Sequence, residues 1–90
     1  MEKSVITVVG KDTVGIIAKV CTYLSEQNVN ILDISQTIVD EFFNMMMIVD
    51  ISNGKKSSGE LADGLDAIGK EIGVDIKIQH EDIFNSMHRI

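Results

Sequence analysis

The order of its hydrophobic patterns limits what this chain can fold into more than any other feature. Residues 4–9 are largely β-branched and end at Gly10, which predicts a first strand. After a cap at Asp12 or Thr13, apolar residues recur at helical spacing and predict a first helix that extends to about Gln27. The chain therefore begins with a strand that leads into a helix.

A second strand and a hairpin follow. Asn28 favours the left-handed conformation that ends helices, and the β-branched stretch after it runs to Val39. Its alternation is imperfect, so we expect a β-bulge within residues 32–34. Residues 40–41 are the polar break of a predicted hairpin, and residues 42–51 alternate as a third strand.

The third strand has two different faces. We expect its core face to carry alternate apolar residues: Phe43, Met45, Met47, Val49 and Ile51. The other face carries Phe42, Met46 and Ile48, and the first strand adds Val5, Thr7 and Val9. That second face is unusually apolar for a surface in water, and Met46 is available for an interface.

The last third of the chain repeats the helix and strand pattern. Ser57 and Glu60 have the spacing of a capping box. The helix that follows has one apolar stripe, Leu61, Leu65, Ile68 and Ile72, and ends at Gly73. Residues 74–79 then alternate as a half-buried strand. The element order predicts an α+β, ferredoxin-like βαββαβ fold, a four-stranded antiparallel sheet with two helices on one face.

The domain should span residues 1–81, and residues 82–90 form a separate tail. Ile83, Phe84, Met87 and Ile90 follow Asp82 at helical spacing, which predicts a short amphipathic C-terminal helix. So short a helix must dock on something. The edge of its own domain, the open sheet face and a partner subunit all remain open as the docking site.

Charge and composition exclude several classes of function. Eight Lys and Arg against fourteen Asp and Glu give a net charge of −6, which opposes nucleic-acid binding. The sequence offers neither an apolar run long enough to span a membrane nor a secretory signal. A single cysteine favours a reducing cytoplasm. Ninety residues make one modest core, which favours a homo-oligomer and requires any signal to pass to another protein.

Few residues suggest catalysis. His80, His88 and Cys21 lack metal-ligand spacing, and Cys21 on the helical stripe is expected to act as a small hydrophobic residue. A small ferredoxin-like enzyme such as an acylphosphatase needs an arginine in the first loop, but Arg89 is the only arginine. We therefore expect no enzyme, no metal and no cofactor.

The loop of residues 10–15 presents backbone amides at a helix N-terminus, where a carboxylate can bind. It lacks both nucleotide-binding glycine patterns, and a glycine-assisted turn capped by Asp12 is the alternative. Asn28, Asn30 and Asp33 surround the start of the second strand. They fit either ligand contacts from an adjacent subunit or a helix stop followed by solvated strand positions.

Two motifs resemble the ACT domain. They are Gly10-Lys11-Asp12-x-x-Gly15-Ile16-Ile17-Ala18 and Asn30-Ile31-x-Asp33-Ile34-x-Gln36, and with the element order the resemblance covers nearly the whole chain. It is strongest to small stand-alone ACT proteins and to the ACT modules of formyltetrahydrofolate hydrolases and glycine-cleavage regulators. The chain departs from the pattern at Val14, where many members have Pro, and at Asn28, where Gly is frequent.

The resemblance implies a module that binds an amino acid and pairs through edge strands or helices. The implied ligand-binding residues are Lys11, Asp12, Thr13, Val14, Gly15, Ile16, Asn28, Asn30 and Asp33. We expect a non-catalytic regulator, at least dimeric, in which amides of residues 12–16 hold the effector's carboxylate and Asp33 or Asn30 faces its ammonium group. The alternative is a pure interaction module that docks a protein partner through Phe42, Met46 and Ile48.

Overall fold

A computed structural model describes residues 2–11 and 15–82, which form a four-stranded antiparallel sheet and two helices. The elements are β1 (Lys3–Lys11), α1 (Ile16–Glu26), β2 (Asn30–Val39), β3 (Phe42–Asp50), α2 (Ser58–Ile72) and β4 (Asp75–His80). The strand order across the sheet is β2-β3-β1-β4. This is the ferredoxin-like βαββαβ arrangement, so the predicted fold class is confirmed.

The core lies between the two helices and one face of the sheet. Its buried side chains come from both layers and form one cluster that includes Ile6, Val8, Val20, Leu24, Met45, Met47, Leu61 and Leu65. All five predicted core residues are buried, four of them in β3 and Ile51 directly after it, and Met46 between them is exposed. The period-2 pattern of β3 was therefore assigned to the correct face.

Two glycines near the first loop have roles that differ from the prediction. Gly10 lies inside β1, which does not end there. A Cβ atom on Gly10 would lie 2.5 Å from Cγ1 of Val74, so the glycine lets Val74 pack closely against β1. The prediction that Asp12 or Thr13 caps the first helix is wrong, because α1 begins at Ile16 with Gly15 as its N-cap residue. Residues 12–14 lie outside the described part of the chain.

Most of the predicted turns and ends are confirmed. The register of β2 shifts between Ile31 and Asp33, which is the expected bulge. Asn28 has a φ of 59° and ends α1 in the left-handed conformation. The capping box of Ser57 and Glu60 is present with both of its hydrogen bonds, from Glu60 N to Ser57 Oγ and from Ser57 N to Glu60 Oε1.

Only some of the apolar residues predicted on the sheet face opposite the helices are exposed. Phe42, Met46 and Val9 are 49%, 40% and 42% exposed, as predicted. Val5 was expected on this open surface but is only 4% exposed. The predicted C-terminal helix falls mainly on residues 83–90, which lie outside the described residues.

Candidate functional site

The two halves of the predicted site lie at opposite ends of the sheet. Lys11, which leads into the first loop, pairs with Phe42 at the beginning of β3. Asn30 pairs with Asp50 at the end of β3. Phe42 and Asp50 are eight residues apart on β3, a separation of roughly 27 Å along an antiparallel strand. One chain therefore does not bring the first loop and the start of β2 together.

The first half is the N-terminal end of α1. Gly15 is exposed with a φ of 89°, and no described atom lies within 4 Å of where its Cβ would be. The first turn of α1 contains no acidic residue, so no carboxylate there offsets the positive end of the helix dipole. Ile16 is 2% exposed, which leaves its backbone rather than its side chain to meet a ligand. The exposed Lys11 Nζ lies 4.0 Å from Glu41 Oε2.

Three other predicted residues of this half, Asp12, Thr13 and Val14, lie outside the described residues. Their contribution stays a prediction. The two residues that flank them, Lys11 and Gly15, are both exposed.

The second half is a cavity of about 500 Å³ at the other end of the sheet. It is lined by Cys21 and Ser25 of α1, by residues 28–31, by Asp50 at the end of β3 and by Asn53 in the segment that follows β3. Asn28 Nδ2 donates a hydrogen bond of 2.8 Å to the Asn53 carbonyl oxygen and joins the two segments that frame the cavity. Three side-chain carboxamides, Asn28, Asn30 and Asn53, belong to its wall.

Asp50 supplies the only charged side chain among the described residues that line this cavity. Its Oδ1 accepts hydrogen bonds from Ser52 Oγ at 2.5 Å, Ser52 N at 3.0 Å and Glu2 N at 3.3 Å. The Ser52 side-chain hydrogen bond, followed by the backbone one, lowers the pKa of Asp50 below its ordinary value. The cavity therefore carries a negative charge at neutral pH.

Asp33 is not part of the cavity wall. It lies beyond the bulge of β2, and its Oδ1 accepts a 2.9 Å hydrogen bond from the backbone of Ile34. Sequence reasoning did find Asn28 and Asn30, but it missed Asp50 and Asn53. The available signal was the charged Asp50 at the end of a mostly apolar strand, followed by Asn53-Gly54. Cys21 is half-buried and lines the cavity instead of lying wholly in the core.

The edge strand β2 lies beside this cavity and has no described strand on its outer side. Nine of its ten residues are exposed, including Leu32, Ile34, Ile38 and Val39. Its one charged residue is Asp33, and it contains no Pro or Lys. The opposite edge, β4, is six residues long and carries charged Asp75 and Lys77. Long, apolar edges of the β2 kind are open to pairing with another strand.

The described ranges show neither a metal-binding cluster nor a membrane-spanning helix. Residues 2–11 and 15–82 contain no group of three His, Cys, Asp or Glu side chains that could hold a metal ion. Within those same ranges, no helix has the length and hydrophobicity required to cross a membrane.

Comparison with known proteins agrees with this architecture. The family model of the ACT domain matches residues 2–79. A UPF0237 protein of Bifidobacterium longum is 62% identical over 90 residues, which cover all of both chains. The solved structure of an ACT domain protein from Streptococcus pneumoniae has a TM-score of 0.82 and 44% identity, covering 97% of this chain and 98% of that one.

A more distant structure carries a functional name. The ligand-free regulatory subunit of aspartate kinase from Thermus thermophilus has a TM-score of 0.66 and 25% identity, covering 87% of this chain and 50% of that one. The match over residues 2–79 and the high identity to full-length relatives establish the family. This chain therefore belongs to the ACT domain family.

Proposed function

We propose that this protein is a non-catalytic, cytoplasmic regulator that binds a free amino acid at the seam between two of its subunits. The observation that carries the proposal is the placement of the two half-sites at opposite ends of the sheet, beside an apolar edge strand that has no described strand on its outer side. A site built from both halves then needs two chains.

Antiparallel pairing of β2 with β2 of a second copy supplies the missing geometry. In such a pair the start of one strand lies beside the end of the other. Asn30 of one chain would then lie near Val39 of the partner subunit. Within each chain Val39 pairs with Phe42, and Phe42 pairs with Lys11 on its other side. The cavity of one chain then lies at the same end of the joined sheet as the first loop of its partner, and the dimer has two equivalent sites.

The chemistry of the two halves suits a zwitterion. Amides of residues 12–16 at the positive end of α1 would hold the effector's carboxylate. Oxygen atoms near the start of the partner's β2, from Asn30 or Asp33, would face the ammonium group. Each contact contributes about 1 kcal/mol net. A binding difference of about 1–3 kcal/mol between two assemblies is enough to regulate a protein partner.

The regulatory role is supported by the family and by the likeness to the regulatory subunit of aspartate kinase. Thermal denaturation against each of the twenty amino acids tests the binding. An amino acid at about 100 times its dissociation constant adds about 2.7 kcal/mol to the free energy of unfolding. Asn30→Ala should abolish that increase while leaving the unliganded melting temperature nearly unchanged, because Asn30 is exposed.

A second candidate is a pure interaction module that docks a protein through the open face of the sheet. The exposure of Phe42 at 49% and Met46 at 40% favours it. The absence of a thermal shift with every amino acid would favour this module. A shift with one or a few amino acids, lost in Asn30→Ala, would favour the regulator.

A further inference from the structure

We infer that Asp50, together with the carboxamides around it, binds the ammonium group of the effector inside the cavity. The inference rests on the proposed function and assigns the ion pair with the ammonium group to Asp50 instead of Asp33. It also defines the class of ligand: a primary ammonium compound whose carboxylate, if it has one, points away from Asp50 toward the partner subunit.

The cavity has a suitable size and charge. Its volume of about 500 Å³ is within the range of small-molecule sites. Asp50 is the charged side chain of its described wall, and the other lining residues are neutral polar or apolar. Among the described residues no side-chain cation lies within ion-pair distance of Asp50. The hydrogen bonds from Ser52 lower the pKa of Asp50 most, and the charge of the chain's N-terminal amino group is the last of the causes that lower it. A cationic group is the complementary ligand.

The hydrogen bonds of Asp50 leave one oxygen for a ligand. All three described donors, two from Ser52 and one from Glu2, reach Oδ1. These bonds fix the carboxylate, and within the described part of the chain Oδ2 has no donor. A positioned, ionised oxygen can form a charge-assisted hydrogen bond with an ammonium group.

The neighbouring carboxamides can complete the contact. An ammonium group has three donors and no acceptor. Asn28 uses its Nδ2 to bind the Asn53 carbonyl oxygen, which leaves its Oδ1 as the free end of the amide. Asn30 pairs with Asp50 across the sheet and stands at the cavity wall. The carboxylate and one or two amide oxygens together match the donors of a primary ammonium group.

Asp33 is less suited to the same task. It accepts a hydrogen bond from its own neighbour Ile34 and does not line the cavity. It also sits beyond the bulge from Asn30, so the two side chains do not form one continuous wall.

A titration with two small probes tests the assignment. Glycinamide carries the ammonium group of an amino acid but no carboxylate, and N-acetylglycinamide is its neutral counterpart. At about pH 6.5 the amino group of glycinamide is protonated. We expect glycinamide to shift the side-chain amide resonances of Asn30 and Asn53 saturably in ¹H–¹⁵N spectra, and N-acetylglycinamide to leave them in place.

Variants separate the charge from the local structure. Asp50→Asn keeps an acceptor oxygen for Ser52 and Glu2 but removes the charge, and should weaken glycinamide binding at least about tenfold. Asp63→Asn is the matched control, because it removes the same charge from an exposed position of α2 that does not line the cavity, and should bind close to wild type. Equal binding to wild type and Asp50→Asn, equal shifts with both probes, or no shift with glycinamide would each overturn the assignment.

The same data distinguish this inference from the proposed function. One outcome is that amino acids stabilise the protein and that Asp50→Asn binds them, and glycinamide, as tightly as wild type. The proposed regulatory function would then be supported, and the role assigned to Asp50 would be wrong. If glycinamide binds through Asp50 but no amino acid stabilises the protein, the cavity is an ammonium site and the shared amino-acid site is wrong.

Discussion

Asn28 donates a 2.8 Å hydrogen bond from its side-chain nitrogen to the Asn53 carbonyl oxygen, although the two residues are twenty-five positions apart. The bond fastens the end of α1 to the chain segment that follows β3. Because Asn28 also has a φ of 59°, one residue both ends the helix and closes the wall of the cavity. This dual role explains why Asn can stand here in place of the Gly frequent in the family.

Substitutions at Asn28 should separate these two roles. Asn28→Gly keeps the left-handed conformation but loses the hydrogen bond, and should cost about 1 kcal/mol of unfolding free energy. Asn28→Ala loses both and should cost about 1 kcal/mol more, because the positive φ strains an alanine. Urea denaturation measures the difference. An alanine variant as stable as the glycine variant would contradict the conformational part.

Two glycines of α2 should respond to alanine with opposite signs. A Cβ atom on Gly69 would lie 2.6 Å from the Val74 carbonyl oxygen, a backbone atom that cannot turn away. Gly69→Ala should therefore destabilise the fold by about 1–3 kcal/mol. On Gly59 the nearest atom is 4.0 Å away, so Gly59→Ala should stabilise it by about 0.5–1 kcal/mol. Equal effects in thermal unfolding would refute the contact at Val74.

The capping box of α2 should make stability depend on pH. Hydrogen bonds from the Ser57 backbone, and then from its side chain, lower the pKa of Glu60 below its ordinary value of 4.5. A depressed folded-state pKa adds stability above pH 4.5 that is lost as the pH falls through the lowered pKa. Glu60→Gln should therefore lose less stability than wild type on acidification. Parallel pH profiles of the two proteins in urea denaturation would show that Glu60 is not the titrating group.

The edge strand should govern the oligomeric state. Ile38 is 62% exposed on β2, and a lysine there should oppose edge-to-edge pairing. We expect Ile38→Lys to sediment as a monomer at concentrations where wild type is a dimer. Val9→Lys is the control, because Val9 is 42% exposed on the open face of the central strand β1. Dissociation by Val9→Lys alone would instead place the interface on the open face.

The fold was predictable from the sequence because its signals are local. The period of β3, the capping box at Ser57, and the helix stops at Asn28 and Gly73 each act within a few residues. Gly10 was misread as a strand end because its true constraint, the side chain of Val74, is distant in sequence. The start of α1 was misread because Gly15 rather than a polar side chain is its N-cap.

The candidate site was predictable only in part. Gly15 and Asn30 stand in the two ACT-like motifs, Asn28 is recognisable as a helix stop, and the structure leaves all three exposed. Sequence reasoning missed Asp50 because its place beside Asn30 depends on strand register, and because the Glu2 donor to its carboxylate comes from a distant part of the chain. The separation of the two half-sites likewise follows from the antiparallel pairing of β3 with both neighbours.

Complementation between two inactive variants tests the shared site most directly. Gly15→Val should block the first loop, and because the φ of 89° strains any residue with a side chain, circular dichroism must first show that the variant folds. Asn30→Ala should remove the other half. Calorimetry with an amino acid that binds wild type should show no binding to either variant alone. Mixed dimers should recover one of their two sites, because one chain supplies an intact loop and the other an intact Asn30. If mixed dimers form but no binding returns, the site does not span two subunits.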